Sequence, residues 1–145
     1  MTRFLNRFLW PLLGAIFVTY ILACIFQTQR VISLLQDSGG DVSFGERLSM
    51  TFYDLRHLSM LYLPFISIAL TAAMAVSIFL AKKFKGLEIF VYIVAGMTAM
   101  MVLLFGMKMF FFDVHLIAGA RDGFGLTLQA IAGGFGGKMF YRLRK

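Results

Sequence analysis

The chain has 145 residues, of which 60% are hydrophobic and only 14% charged, well short of the roughly 25% charge of a water-soluble domain. The apolar residues fall in long uncharged runs rather than amphipathic stripes, so an ordinary soluble domain is excluded and lipid is the expected solvent. A net charge of +7 would indicate nucleic acid in a soluble protein, but here the cations gather at the ends of apolar runs and no nucleic-acid partner is expected.

Residues 8–26 form the first uncharged run, 19 residues preceded by Arg3 and Arg7, close to the roughly 20 needed to cross a bilayer core. A span over about 8–28 is predicted, with Pro11 in its first turn, where a missing N–H does little harm. The stretch Ile21-Leu22-Ala23-Cys24 loosely resembles a lipoprotein cleavage box. The run is longer than a signal-peptide core and continues through Ile25 and Phe26, so a retained span is preferred. Cys24 is the sole cysteine, which excludes an intramolecular disulfide, a CxxC redox pair and a four-cysteine zinc site.

Residues 29–57 form the long polar connection. Val31 to Leu35 extend the first helix, and Ser38-Gly39-Gly40-Asp41 makes a turn. Ser43 and Glu46 then have the spacing of a capping box, so a second helix should start there. Phe44, Leu48, Phe52 and Leu55 share one face of it while Arg47, Thr51 and Asp54 share another, the pattern of an amphipathic helix lying on the membrane surface or packed on the other helices.

Residues 58–81 are 24 without a charge, a second span bent by Pro64 and ended by Lys82-Lys83-Phe84-Lys85-Gly86. Glu88 favours the start of the third span, about 88–112, interrupted by Lys108. The fourth, about 122–141, is uncharged over only 15 residues, 123–137, with Asp122 as its N-cap and Lys138 reaching toward the interface.

With four crossings, one side receives Arg3, Arg7, Lys82, Lys83, Lys85, Lys138, Arg142, Arg144 and Lys145, a total of nine. The other receives Arg30, Arg47, Arg56 and Arg121, a total of four, with six of the seven acidic residues. The positive-inside rule then puts both termini in the cytoplasm of a bacterial inner membrane. The expected fold is all-α: a single four-transmembrane-helix bundle over residues 1–145 with an amphipathic extracytoplasmic helix between the first two spans.

Two constellations stand out. Gly119, Gly123, Ala130, Gly133, Gly134, Gly136 and Gly137 give the fourth segment small faces at four-residue spacing. These permit close backbone contact, within the bundle or with another copy, and Gln129 and Thr127 beside them are expected to donate hydrogen bonds between helices. Asp54, Arg56, His57, Lys108, Asp113, His115, Arg121 and Asp122 should gather at the extracytoplasmic mouth as a candidate polar cluster, since ionisable residues at span ends merit a functional reading.

No catalytic residue is identified. The chain has no phosphate loop, no H-E-x-x-H and no G-x-S-x-G. Two histidines at helix ends do not suit a mid-membrane haem, and the methionines lack the repeated spacing of a copper motif, so no metal or cofactor is expected. In span number the chain is similar to small multidrug exporters, but its first span lacks their acidic residue; disulfide-generating quinone oxidoreductases need paired cysteines, and Cys24 stands alone. The reading is a non-enzymatic accessory, assembly or scaffold subunit whose partners are the lipid bilayer and another membrane protein or itself; the alternative is a small oligomeric transporter or channel.

Overall fold

The computed structural model describes residues 2–110 and 122–145. They form five helices and, among the described residues, no strand: α1 (Thr2–Asp37), α2 (Phe44–His57), α3 (Ser59–Lys83), α4 (Glu88–Phe110) and α5 (Gly123–Arg144). Three stretches, Asn6–Asp37, Ser59–Lys83 and Glu88–Met109, are long and apolar enough to cross a membrane. That length and composition mark a membrane protein. The expectations for Asp113, His115, Gly119 and Arg121 concern positions outside the described residues.

Two sequence signals set the ends of the first connection. Gly39 adopts φ +89°, and its N–H bonds the Gln36 carbonyl (2.9 Å) while the Gly40 N–H bonds the Leu35 carbonyl (3.1 Å). This is a Schellman stop, which needs a residue free to take a left-handed conformation. Ser43 and Glu46 form the reciprocal capping box that starts α2. Four residues separate α3 from α4, with Gly86 at φ +91°, so these two helices run antiparallel side by side.

One expectation is corrected. Helix α1 begins at Thr2, so Pro11 lies inside it and not in its first turn. The charged residues before the uncharged run continue the helix instead of preceding it. Pro11 is fully buried; its ring has no N–H to offer the carbonyl four residues back, and the packing around it tolerates that loss.

Helix α5 occupies the centre of the packing, with its most extensive contacts on α1 and α4, while α3 packs on α4 and more lightly on α1. The reason is the small faces of α5. A Cβ on Gly133 would overlap the Gly96 carbonyl oxygen, and one on Gly137 would overlap the Tyr92 carbonyl oxygen, so α5 and α4 touch backbone to backbone. On the other side, Gly136 lies against Thr19, and its Cβ would come within 3.1 Å of the Ala15 carbonyl of α1. Helix α3, by contrast, buries a single narrow stripe of Tyr62, Ile66, Leu70, Met74, Ser77 and Ala81 at steps of four and three.

The glycine contacts give a direct test. Gly137→Ala should lower stability by about 1–3 kcal/mol, because backbone on the facing helix must move. Gly123→Ala, with no atom of the described residues within 4 Å of the added Cβ, should be neutral or slightly stabilising. Thermal unfolding of the detergent-purified protein compares the two.

Candidate functional site

Polar side chains concentrate where the C-terminal half of α1 meets α2 and the first turns of α3 and α5. The α2 helix is oriented by its polar face. The Thr28 hydroxyl bonds Asp54 Oδ2 (2.8 Å), with the Cys24 carbonyl 3.0 Å away. The Arg47 guanidinium donates to Gln29 (3.2 Å) and Gln36 (2.6 Å). The Tyr20 hydroxyl donates to the Leu55 carbonyl. Most of the apolar stripe consequently faces away from α1, with Phe44 76% exposed and Phe52 68%, while Leu55 at its end packs on the core.

A second tie joins α1 to the start of α5. Asp122 caps α5 by accepting the Gly125 N–H through Oδ1 (2.9 Å) and pairs with Arg30 through Oδ2. The Arg30 guanidinium also lies 5.2 Å from the centre of the Phe124 ring, a cation–π geometry. The guanidinium, followed by the cap hydrogen bond, holds the Asp122 carboxyl below the usual aspartate range. The Glu46 carboxyl is likewise lowered, by the Ser43 backbone N–H and then its hydroxyl.

Deeper in the helices, Gln129 is fully buried and bridges three elements. Its amide donates to the Ala23 carbonyl of α1 (3.0 Å) and its oxygen accepts the Tyr62 hydroxyl of α3 (2.9 Å). Thr127 differs from expectation: its hydroxyl bonds the Gly123 carbonyl of its own helix (2.8 Å), the common alternative for a mid-helix threonine.

Of the residues singled out in sequence as a polar cluster, the described ones lie on α2, in the last turn of α4 and at the start of α5. Asp54 is engaged by Thr28. Arg56 is exposed. The His57 ring stacks on Tyr53 with centroids 3.8 Å apart, its Nδ1 2.9 Å from the Tyr53 carbonyl. Lys108 is half-buried in the last turn of α4. Among the described residues no hydrogen bond or ion pair joins Asp54, Arg56, His57 and Asp122 to one another. The partners left out of the candidate cluster read in sequence are Thr28 and Arg30. Their position four and six residues beyond Cys24 on the continuing first helix is the signal that could have included them.

Beside Asp54, a cavity of about 250 Å³ is lined by Thr28, Val31, Ile32, Ser49, Met50 and Tyr53. The Thr28 proton is divided between two structural acceptors, and among the described residues no three His, Cys, Asp or Glu side chains come together as metal ligands. What this arrangement does chemically is fix the angle and rotation of α2 and α5 against α1.

The ion pair has a defined pH signature. Because folding depresses the Asp122 pKa, its contribution is complete above the ordinary value of 3.8 and disappears as the pH falls from there through the lower folded value. The Gly125 amide should keep its hydrogen-exchange protection until the solution is that acidic, and Asp122→Asn should weaken it at neutral pH and remove the transition.

No family model, no curated protein and no solved structure matches the chain.

Proposed function

We propose that this chain is a non-enzymatic subunit of a bacterial inner-membrane complex, which accepts a transmembrane helix of a partner protein into a groove between α3 and α4. The single observation that carries the reading is the groove, about 680 Å³ in volume. Much of its lining is small: Ala69, Ala72, Ala73 and Ser77 of α3 and Ala95, Thr98 and Ala99 of α4. Its rims are larger, including Leu80, Phe84 and Phe90.

Small side chains let a second helix approach closely, and in lipid such approach is one of the few strong drives to helix association. The Thr98 hydroxyl is bonded to its own helix through the Val94 carbonyl (2.8 Å), and Ser77 to Ala73. The groove thus presents methyl and methylene groups without unsatisfied donors. Gly133, Gly134, Gly136 and Gly137 of α5 already pack on α1 and α4, which favours a subunit reading over a channel assembled around those glycines.

In this reading α5 completes four crossings. The chain termini share one end, where Arg7 and Arg144 line a common cavity and the Phe8 and Phe140 rings meet edge to face at 5.7 Å. The excess of Lys and Arg at that end supports a cytoplasmic position for it. Helix α2 then lies at the opposite interface with Phe44 and Phe52 directed to the lipid.

A photoreactive phenylalanine analogue at Val94, in the groove, should give one discrete protein adduct in native membranes, while one at Phe105, outside it, should not. Filling the groove with Ala73→Leu and Ala95→Leu should abolish that adduct. Adducts with lipid only would overturn the proposal. Reporter fusions at the two termini should both report the cytoplasmic side, and a fusion reporting the outside would remove the four-crossing arrangement.

A further inference from the structure

At the end carrying the chain termini, Arg144 stands between two cavities. The first, about 220 Å³, is bounded by Lys82, Glu88, Tyr92 and Lys145 as well as Arg144. The second, about 320 Å³, is bounded by Arg7, Phe8, Ile78 and Arg144, and Ile78 also lines the first. Four cationic side chains therefore line two adjoining cavities, with the Glu88 carboxylate in the first.

The Arg144 guanidinium is oriented by donating to the Tyr92 hydroxyl, which leaves further N–H donors of its planar fork for another acceptor. Below the cations the walls are apolar. Phe8 packs on buried Phe140, and Ile78 belongs to α3, whose contact with α1 is much lighter than that of α5 with either neighbour. A cationic mouth over an apolar seam matches an amphiphile with an anionic head, and basic pockets between membrane helices hold phosphate-bearing headgroups for this reason.

We propose that this end binds a phosphate-bearing anion, the phosphodiester headgroup of an anionic phospholipid. Its phosphate bridges Arg7 and Arg144, and its acyl chain lies on Phe8 and Ile78 in the α1–α3 seam. The site uses different residues from the α3–α4 groove and stands or falls independently of the partner helix.

Native mass spectrometry of the full chain released from detergent, titrated with phosphatidylglycerol, phosphatidylcholine or inorganic phosphate, tests it. Phosphatidylglycerol should be retained over phosphatidylcholine, and Arg7→Gln and Arg144→Gln should each weaken it about fivefold. Arg142→Gln removes the same charge from an exposed position of the same helix end, outside both cavities, and should leave retention unchanged. Lys82→Gln, which spares the Tyr92 hydrogen bond, guards against a folding defect in the Arg144 variant and should also weaken binding. Equal losses in all four variants would reduce the effect to diffuse surface charge and overturn the site. Displacement of the lipid by inorganic phosphate at equal concentration would overturn the lipid assignment, as would unchanged retention in folded Arg7→Gln and Lys82→Gln proteins.

Discussion

The contact on which the architecture depends is the backbone-to-backbone approach of α5 to α4 at Gly133–Gly96 and Gly137–Tyr92. In hydrocarbon an apolar side chain gains little by leaving the solvent, so helices associate through dispersion and polar contacts that require close approach. Glycine removes the side chain that would keep the helices apart. Its helix propensity is about 1 kcal/mol poorer than that of alanine, a penalty that matters less where no water is present to compete for the backbone hydrogen bonds. The same helix uses a second small face, at Gly136, for α1. One segment with two contact faces thus orders its neighbours, which explains why the least hydrophobic of the long helices is the most enclosed.

Close packing alone leaves helices free to slide and rotate, and polar ties remove that freedom. Gln129 holds α5 to Ala23 and Tyr62 at once. Asp122 and Arg30 hold the first turn of α5 to α1. A slide of α5 by one helical turn would move Gln129 about 5.4 Å from its partners and leave amide and hydroxyl groups buried without acceptors, a cost of about 1–3 kcal/mol per group. The polar groups therefore set register, while the glycines set distance. Thr19, whose buried hydroxyl oxygen lacks a conventional partner among the described residues, sits against Gly136, where a weak Cα–H···O contact is geometrically available.

The local features were legible in the sequence because their causes are local. Uncharged runs over 58–81 and 89–107 correspond to α3 and α4, and Ser43 with Glu46 marks the start of α2 three residues apart. Features made by distant partners were not. Arg30 meets Asp122 across 92 positions, and Gln129 meets the carbonyl of Ala23 across 106; a carbonyl acceptor has no signature in an amino-acid sequence. For α2, periodicity reveals that two faces exist but not which one turns inward. The extent of α1 was hidden for a different reason: charged residues limit an apolar run without limiting the helix that contains it, which is why Pro11 fell inside.

The orientation of α2 carries an argument of its own. Its polar face is engaged with α1 through Asp54 and Arg47, while Phe44, Leu48 and Phe52 face outward. In water the outward stripe would forgo about 1.5–3 kcal/mol per side chain, as much as each hydrogen bond to a charged group returns. The arrangement becomes favourable where the surroundings are apolar on one side and polar on the other, so that the outward stripe is buried in the medium instead of in the protein. The polar contacts with α1 then gain strength from the lower dielectric near the interface. In the proposed four-crossing arrangement, the medium that favours the α5 glycine contacts thus also favours an outward-facing apolar helix, and one solvent accounts for both.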